Sequence, residues 1–480
     1  MLLAVPFGAF HVSSVSAEFR VTPRFEARET YTDNVNLDAN DGSDDFVTRL
    51  SPGFTARGNG RRYNFFTAYT LNGFIFARNT DENDIRHNLA GRFQSELLED
   101  RLFLNASATV NQQFRDIGGA VSGSQANFTG NRATIQNYNF SPRFQQRFGR
   151  EAVFTASYLL NFTELGDDTA EDGTPFLISD ALRQRVQAGV NSGPAYQRFT
   201  WGLNGSFDTV DRSNNPNTFE AVNIIANGSY NYTRRLALLA SVGYEDISDA
   251  TLGALASEGV IWDLGVRITP GTRSQLEVRG GQRFGSAVFS GVFSYRLSEN
   301  TTFRASYSEN VQLFNRLVSD LADGFDGLDD FDFSVVIDEN GVPVTVATPG
   351  FSLTDVAFTR QRADSSFISR FGRNRVSLTA FFEDRSFADQ DDSATTFGFS
   401  TNVRRDLSRQ AVFSFGTNYL NIEFLSERVD NFITGFARYE YKFTEDVVAL
   451  LQYRHTTRGS NIDFFDLSEN TISASIRFSF

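Results

Sequence analysis

Residues Thr471 to Phe480 read T-I-S-A-S-I-R-F-S-F, and this stretch decides how the rest of the chain is interpreted. Successive side chains of an extended strand point to opposite faces, so the stretch carries one apolar row and one polar row. The apolar row consists of Ile472, Ala474, Ile476, Phe478 and Phe480. The polar row consists of Thr471, Ser473, Ser475, Arg477 and Ser479. In the wall of a membrane barrel the apolar row meets lipid, whereas in a soluble sandwich it turns into a core.

The composition favours an all-β protein and excludes a helical membrane protein. Hydrophobic residues make up 40% of the 480 residues. No apolar run reaches the roughly 18 residues that a membrane-spanning helix requires. Phe occurs 50 times and Gly 37 times, against 10 Pro and 1 Met. This enrichment, together with abundant Tyr, Asn, Thr and Ser, suits strands and the turns that join them.

The chain lacks cysteine and carries a formal charge of -14. Without cysteine there are no disulfides, no thiolate metal sites and no covalent haem, and we expect no cofactor and no metal site. The negative charge argues against nucleic acid as a partner, because nucleic-acid binding requires a basic surface. Lys442 is the only lysine. Nearly all positive charge is therefore on Arg, whose planar guanidinium binds carboxylate and phosphate through paired hydrogen bonds.

Segments of about 10 to 16 residues with period-two alternation follow one another from Glu18 onward. Short connections, such as residues 58–61 and 372–375, alternate with longer ones, such as residues 33–44 and 116–130. This alternation is typical of a barrel with short periplasmic turns and longer extracellular loops. We count 22 segments, an even number that leaves both chain ends on the periplasmic side. The sequence therefore predicts an antiparallel up-and-down barrel in the bacterial outer membrane.

Residues 1–17 are predicted to be a signal peptide, and the barrel domain to follow over residues 18–480. Residues 2–10 form a short apolar segment, and residues 15–17, V-S-A, have the small side chains that signal peptidase requires. We therefore expect the mature chain to start near Glu18. A buried N-terminal strand is the alternative for this segment. Because the first barrel strand begins beside the cleavage site, we expect no plug domain, unlike in plugged barrels of similar strand number.

The first and last strands must pair for the barrel to close, because an open sheet edge cannot stand in lipid. We predict that Phe478 and Phe480 make this closure and that the last strand meets the first near Phe19. The positions of the two tryptophans support the assignment of the lipid-facing rows. Our register places Trp201 near a periplasmic strand end and Trp262 near an extracellular one, where amphipathic rings favour the headgroup zone.

Three short motifs carry a resemblance to a known family. They are Y-T-D-N-V at residues 31–35, L-S-P-G at residues 50–53 and E-L-L-E-D-R-L-F-L at residues 96–104. With them the chain resembles the outer-membrane β-barrel family associated with exosortase and PEP-CTERM systems, akin to β-barrel porin type 2. Members of that family are typically encoded beside exopolysaccharide genes, so the resemblance implies a setting in envelope polymer export and no mechanism. The motifs also have a plain interpretation as strand-end turns.

The histidines argue against catalysis, and we predict that the protein is not an enzyme and has no catalytic residues. Outer-membrane lipases and proteases need a His, Ser or carboxylate constellation at the barrel rim. His11 lies in the signal segment, and our register places His87 and His455 on lipid-facing rows near the extracellular edge. From those rows they cannot meet a nucleophile in the lumen.

Charged residues interleave on the polar rows, which would face a lumen. The predicted pore-lining residues are Arg267, Glu277, Arg279, Arg304, Glu383, Arg385, Arg404 and Arg477. Mixed charges create a transverse field that a hydrated sugar or small ion can cross and an apolar solute cannot. Alternatively, Arg and Glu pair across neighbouring strands and hold the wall together. The two interpretations are compatible, and the sequence does not choose between them.

The longest connection, residues 314–354, is acidic in its first part. The acidic cluster consists of Asp320, Asp323, Asp326, Asp329, Asp330 and Asp332. Residues 331–337 and 342–347, joined by D-E-N-G, predict a hairpin too short to span the membrane. Asp clusters can bind calcium, but this spacing does not match the loop in which acidic ligands alternate around an invariant Gly. We therefore predict a solvated acidic loop outside the membrane or folded into the barrel mouth.

Three functions are compatible with these features. The first is a passive outer-membrane pore linked to export of exopolysaccharide or another envelope polymer. The second is a general porin for small solutes, and the third is a structural barrel that serves as a sleeve or scaffold for a partner protein. Expected partners are outer-membrane lipid and lipopolysaccharide, polysaccharide cargo, and a separate export or periplasmic protein.

Overall fold

A computed structural model gives the fold of most of the chain. It describes residues 18–39, 41–166, 179–213, 215–249, 251, 257–283, 285–317, 335–337, 343–345, 356–387 and 393–480. The predicted signal peptide and the acidic cluster of residues 320–332 lie outside the described residues.

The chain forms a barrel of 22 strands and one separate two-stranded hairpin. The first strands are β1 (Glu18–Thr32), β2 (Asp45–Asn59), β3 (Tyr63–Phe76), β4 (Asp84–Leu98), β5 (Leu102–Phe114), β6 (Arg132–Phe148), β7 (Ala152–Gly166), β8 (Ala181–Ser192), β9 (Phe199–Arg212), β10 (Asn215–Asn231), β11 (Leu236–Ser248) and β12 (Ser257–Gly271). The later strands are β13 (Ser274–Arg283), β14 (Ser286–Ser298), β15 (Thr301–Gln312), β16 (Val335–Ile337), β17 (Pro343–Thr345), β18 (Phe358–Phe371), β19 (Asn374–Phe387), β20 (Ser393–Asp406), β21 (Ala411–Glu423), β22 (Val429–Lys442), β23 (Val447–Ser460) and β24 (Leu467–Ser479).

Each barrel strand pairs antiparallel with the next one along the chain, and β15 pairs with β18 across the small hairpin of β16 and β17. β1 pairs with both β2 and β24, so the sheet closes on itself. A closed barrel can stand in lipid because the backbone groups of its wall find partners in neighbouring strands. The predicted all-β antiparallel barrel of 22 strands is confirmed.

Apolar side chains cover the outside of the barrel, and polar side chains face the inside. On β24, Ile472 and Ile476 are exposed, while Thr471 and Ser473 of the alternate row are buried. On β12, Trp262 lies in the exposed apolar row, as the sequence predicts. This arrangement is the reverse of a soluble sandwich, in which the apolar rows are buried, and it provides an outer surface suited to lipid.

The connections differ in length between the two ends of the barrel. At one end, called the short-turn end, tight turns join the strands, and Gly149 and Gly372 supply the positive φ angles, 59° and 57°, that two of these turns require. At the other end, called the long-loop end, the connections include residues 115–131 and 313–357. Two connections there, residues 213–214 and 284–285, are short as well. The predicted alternation of short and long connections is therefore wrong at these two positions.

The hairpin predicted within the longest connection is confirmed. β16 pairs antiparallel with β17, with Val335 opposite Thr345 and Ile337 opposite Pro343. Each strand has 3 residues, too few to span a membrane. The turn between the two strands lies outside the described residues.

Candidate functional site: the lumen and its covered end

The structure places each predicted pore-lining residue on an inward-facing row of the barrel. They are Arg267 on β12, Glu277 and Arg279 on β13, Arg304 on β15, Glu383 and Arg385 on β19, Arg404 on β20 and Arg477 on β24. The outward neighbours on the same strands, such as Val278 and Phe382, are exposed apolar residues. The predicted residues do not form one group, because they belong to separate networks around the wall.

One network joins β12 and β13 and remains partly exposed to the lumen. The carboxylate of Glu277 accepts hydrogen bonds from Arg267 Nε at 2.7 Å and from Arg279 Nε at 2.8 Å. Arg279 Nη1 also donates to Asp263 Oδ1 at 2.9 Å. These charges pair across neighbouring strands, as the wall-holding interpretation predicts, and they still present mixed charge to the lumen.

A second network, on β18 and β19, is buried. Glu383, only 1% exposed, accepts from Arg385 at 2.6 Å, from Arg362 at 2.7 Å and from Arg360 at 2.7 Å. The guanidinium of Arg385 lies 4.5 Å from the centre of the Phe358 ring. Glu383 and Arg385 are therefore covered from the lumen, and their charges are paired within the wall.

A third network, on β8 and β9, was not identified from the sequence. Asp208 accepts from the fully buried Arg183 at 2.8 Å and from Arg185 at 2.7 Å, and Arg316 lies 3.3 Å away. Arg183 and Arg185 are two residues apart on β8, so they lie on the same face of the strand, and the sequence alone could have predicted that they are neighbours. Arg316 comes from a distant connection, and no local pattern predicts that contact.

The connection between β5 and β6, residues 115–131, folds into the long-loop end of the barrel; we call it the β5–β6 loop. Arg428 Nη2 donates to the carbonyl of Gly118 at 2.7 Å, and Arg86 Nη1 donates to the carbonyl of Gln125 at 2.9 Å. The Phe128 ring packs edge-on against Phe76, with ring centres 5.6 Å apart. The loop therefore contacts the barrel wall on both sides of the β1–β24 seam, at β3 and β4 on one side and beside β22 on the other.

The composition of the β5–β6 loop explains why it is docked inside. Residues 117–130 read I-G-G-A-V-S-G-S-Q-A-N-F-T-G and carry no charge. Ala126 packs in a buried cluster with Val35 and Phe74, and Asn127 is fully buried. An uncharged stretch rich in small residues loses little solvation when it is buried, so the missing charges are the sequence signal that could have identified this loop.

A second segment, residues 313–317, also crosses the long-loop end; we call it the inward turn. Leu313 packs in a buried cluster with Val210 and Phe219, and Phe314 packs against Ile135 and Leu165. These partners lie on β6, β7, β9 and β10, whereas the turn itself follows β15. The inward turn therefore reaches from one side of the barrel to another. The sequence predicts an acidic cluster and a hairpin in this connection, but not the inward packing of residues 313–317.

A polar cavity of about 150 Å³ lies beside the inward turn. Its lining includes Arg185, Asp208, Glu245, Arg283 and Arg316. These side chains already pair with one another, Arg185 with Asp208 and Arg283 with Glu245. The cavity is small for an organic ligand, because ligand pockets typically measure about 300 to 1,000 Å³.

Inward-facing side chains become more exposed toward the short-turn end. The Arg404 side chain is 48% exposed and lies 3.7 Å from Asp406. By contrast, Glu383 on the neighbouring strand, nearer the long-loop end, is covered. Within the described part of the chain, the lumen is thus covered at one end and open toward the other.

The last strand closes the barrel against the first, but not where the sequence predicts. Phe478 lies opposite Phe25, and the backbone N–H of Phe480 donates to the carbonyl of Pro23 at 3.0 Å. Phe19 instead lies opposite Gly58 of β2. The predicted partner was wrong because amphipathic alternation fixes which face a residue occupies and leaves the stagger between strands undetermined.

Both described histidines lie on outward rows. His87 contacts the Tyr69 hydroxyl at 2.8 Å, and His455 contacts Asn470 at 2.9 Å. In the described ranges, no helix is long and apolar enough to cross a membrane. Nor does any group of three or more His, Cys, Asp or Glu side chains there have a geometry that could hold a metal ion.

Comparisons with known proteins find likeness in fold only. No protein-family model and no curated protein matches the chain. The siderophore receptor PirA from Acinetobacter baumannii is similar over 98% of this chain and 81% of its own, with a TM-score of 0.50 and 9% identity. A mutant of the ferric enterobactin receptor PfeA from Pseudomonas aeruginosa is similar over 96% of this chain and 80% of its own, with a TM-score of 0.52 and 7% identity.

The closed barrel, its apolar outer surface and this likeness to receptor barrels place the protein in a bacterial outer membrane. In such barrels short turns are periplasmic and longer loops are extracellular. The short-turn end is therefore the periplasmic end, and the long-loop end is the extracellular end. The β5–β6 loop and the inward turn accordingly cover the extracellular end of the lumen.

Proposed function

We propose that the protein is a passive conduit for hydrophilic solutes across the outer membrane, in which parts of the barrel chain itself cover the extracellular end and no separate plug domain fills the lumen. The observation that carries the proposal is the docking of the β5–β6 loop and the inward turn inside that end. A barrel of 22 strands encloses more space than side chains alone can fill. Segments docked across its mouth are one way to restrict passage through such a lumen.

The wall beneath these segments suits hydrated solutes. The network of Arg267, Glu277 and Arg279 with Asp263 presents both signs of charge within one short stretch of wall. Fixed mixed charges favour solutes that can form hydrogen bonds and disfavour apolar ones. The proposed activity is passage through a pore and involves no catalytic residue.

Export of an exopolysaccharide is the more specific form of this proposal. It rests on the resemblance carried by residues 31–35, 50–53 and 96–104. A general porin would pass short solutes only, whereas an exporter must pass a chain and must be supplied from the periplasmic side by a separate protein. Co-purification of a periplasmic partner together with bound polysaccharide would favour the exporter.

Swelling of proteoliposomes tests the conduit. Vesicles that contain the protein should swell in an iso-osmotic solution of maltose, because a hydrophilic lumen admits a neutral sugar. A variant in which Gly-Gly-Ser replaces residues 117–129 should swell faster. In the control variant Gly-Gly-Ser replaces residues 80–82, an exposed turn with no buried side chain. This variant should swell at the rate of the parent protein. Vesicles that stay inert with the parent protein and with the loop variant would contradict the conduit and favour the sleeve.

A further inference from the structure

A row of arginines lies on the inward face of the wall, near the periplasmic ends of β18 to β22. Arg370 on β18 lies opposite Arg375 on β19, and Arg375 lies opposite Arg404 on β20. The same cross-strand line continues through Ser414 on β21 to Arg438 on β22. We call Arg370, Arg375, Arg404 and Arg438 the arginine strip. Since neighbouring strands are about 4.8 Å apart, the strip crosses about 19 Å of wall.

The strip differs from the buried networks in its exposure. Arg370, Arg375 and Arg404 are exposed, and Arg438 is partly exposed. Asp406 lies 3.7 Å from Arg404, and Glu440 lies 3.3 Å from Arg438. Like charges placed directly opposite on neighbouring strands destabilise a sheet, and an anion bound between them would offset that repulsion.

Uncharged hydrogen-bonding groups lie beside the strip, one and two rows nearer the extracellular end. The nearer row places Ser377 opposite Asn402. The next row runs through Thr379 and Ser400 to Asn418. Hydroxyl and amide groups of this kind can donate to and accept from sugar hydroxyls. Guanidinium groups beside them match carboxylate, because their fork forms two parallel hydrogen bonds with it.

We propose that the arginine strip is a binding surface for carboxylate-bearing saccharides within the lumen. This inference deepens the proposed function, because it names the substrate class of the same conduit. The strip gives the pore wall a positive surface although the whole chain carries a charge of -14. Arg-lined constrictions favour anions over cations. A saccharide with several carboxylates can contact more than one member of the strip at a time, which strengthens its binding.

The test compares the parent protein with the double variant Arg375→Gln and Arg404→Gln. Equilibrium binding of trigalacturonate and of neutral maltotriose is measured by titration calorimetry on the detergent-solubilised barrel. The parent protein should bind trigalacturonate more tightly than maltotriose. The double variant should need about tenfold more trigalacturonate for half saturation, which corresponds to about 1.4 kcal/mol. Equal affinities for the two sugars, or equal affinity of the two proteins for trigalacturonate, would overturn the proposal.

The control is Arg62→Gln, in the turn between β2 and β3, which removes one positive charge from an exposed pair with Glu99, away from the strip. It should bind trigalacturonate as the parent protein does. Heat-modifiable migration establishes that each variant is folded, and Arg375→Lys with Arg404→Lys replaces the Gln variant if that one does not fold. The Lys variant should bind trigalacturonate more weakly than the parent protein, because lysine lacks the forked guanidinium group that forms two parallel hydrogen bonds with a carboxylate.

Bilayer recording separates this inference from the proposed conduit. Under a KCl gradient the parent protein should prefer chloride, and the double variant should lose that preference. A protein that conducts without anion preference and binds both sugars equally would overturn the inference and leave the conduit standing. A protein that binds trigalacturonate through the strip but is silent in bilayers, both as the parent and with residues 117–129 replaced by Gly-Gly-Ser, would overturn the conduit alone.

Discussion

At the scale of single residues, Glu383 is the carboxylate on which the wall of β18 and β19 depends. Three guanidinium groups lie within 2.6 to 2.7 Å of it, and its side chain is almost fully buried. Burying charges costs several kcal/mol per ion, and only close pairing offsets that cost. Removal of the one shared carboxylate would leave Arg360, Arg362 and Arg385 close together without it.

We predict that Glu383→Gln destabilises the barrel by about 3 to 5 kcal/mol, the usual effect of breaking a buried ion pair. The measurement is urea unfolding of the reconstituted protein, followed by the loss of the heat-resistant band. The control, Glu99→Gln, breaks the exposed pair with Arg62 and should cost less than about 1 kcal/mol. Equal midpoints for the two variants would show that the Glu383 network does not stabilise the wall.

Arg279 and Arg385 should respond differently to replacement by Gln. The Arg279 side chain is 27% exposed, whereas that of Arg385 is 5% exposed. Arg279→Gln removes a charge that solutes can sense, so the reversal potential in a salt gradient should shift toward cation preference. Arg385→Gln should lower stability and leave the reversal potential nearly unchanged. A larger shift for Arg385→Gln would contradict the burial of this network.

The faces of these residues could be predicted from the sequence, but their burial could not. Period-two alternation places Glu277, Arg279, Glu383 and Arg385 on inward rows because successive side chains alternate between faces. Whether such a residue meets water depends on its cross-strand neighbours and on the segments that lie over it. Arg316 reaches Asp208 from another part of the chain, and sequence spacing contains no information about such contacts.

At the scale of elements, β24 closes the barrel by pairing with β1 from Thr32 opposite Thr471 to Arg24 opposite Ser479. Phe480 extends its pairing with β1 by one hydrogen bond to Pro23, and its ring is 74% exposed on the outer surface. The closure itself could be predicted from the amphipathic stretch. The stagger between β24 and β1 could not be predicted, because a shift of the pairing by two residues leaves the same side chains facing lipid and the same ones facing the lumen.

Deletion of Phe480 should reduce assembly into the outer membrane severalfold, because it removes a pairing at the seam where two sheet edges must meet. The measurement is the fraction of protein that migrates as the heat-modifiable, protease-resistant form. Phe464→Ala is the control, since that ring is equally exposed, at 75%, on a connection at the other end. Normal assembly after the deletion would tell against the role assigned to the terminal residue.

The docking of the β5–β6 loop depends on Phe128 as well as on hydrogen bonds. We expect Phe128→Ala to weaken docking by about 1 to 2 kcal/mol, less than the burial of a whole Phe side chain is worth. Hydrogen exchange should then accelerate in residues 117–129 while the barrel strands keep their protection. Unchanged exchange in the loop would mean that the contact with Phe76 does not hold it.

At the scale of the whole molecule, the alternation of side chains explains the barrel wall but does not explain the covered extracellular end. Alternating apolar and polar side chains, repeated along the strands, produce a lipid-facing outside and a polar inside, and this much could be predicted from the sequence. Coverage of the lumen depends on connections with no regular period. The uncharged residues 117–130 are docked inside, although the sequence pattern identifies only the acidic residues of the longest connection as a loop that could fold into the mouth.

We propose that the barrel is a conduit whose extracellular end is covered by its own chain. Single-channel conductance in planar bilayers tests it most directly. The parent protein should show small or intermittent openings, and the variant in which Gly-Gly-Ser replaces residues 117–129 should show a severalfold larger and steadier conductance, since the docked segment restricts the lumen. Equal conductance of the two proteins, or silence from both, would contradict the account.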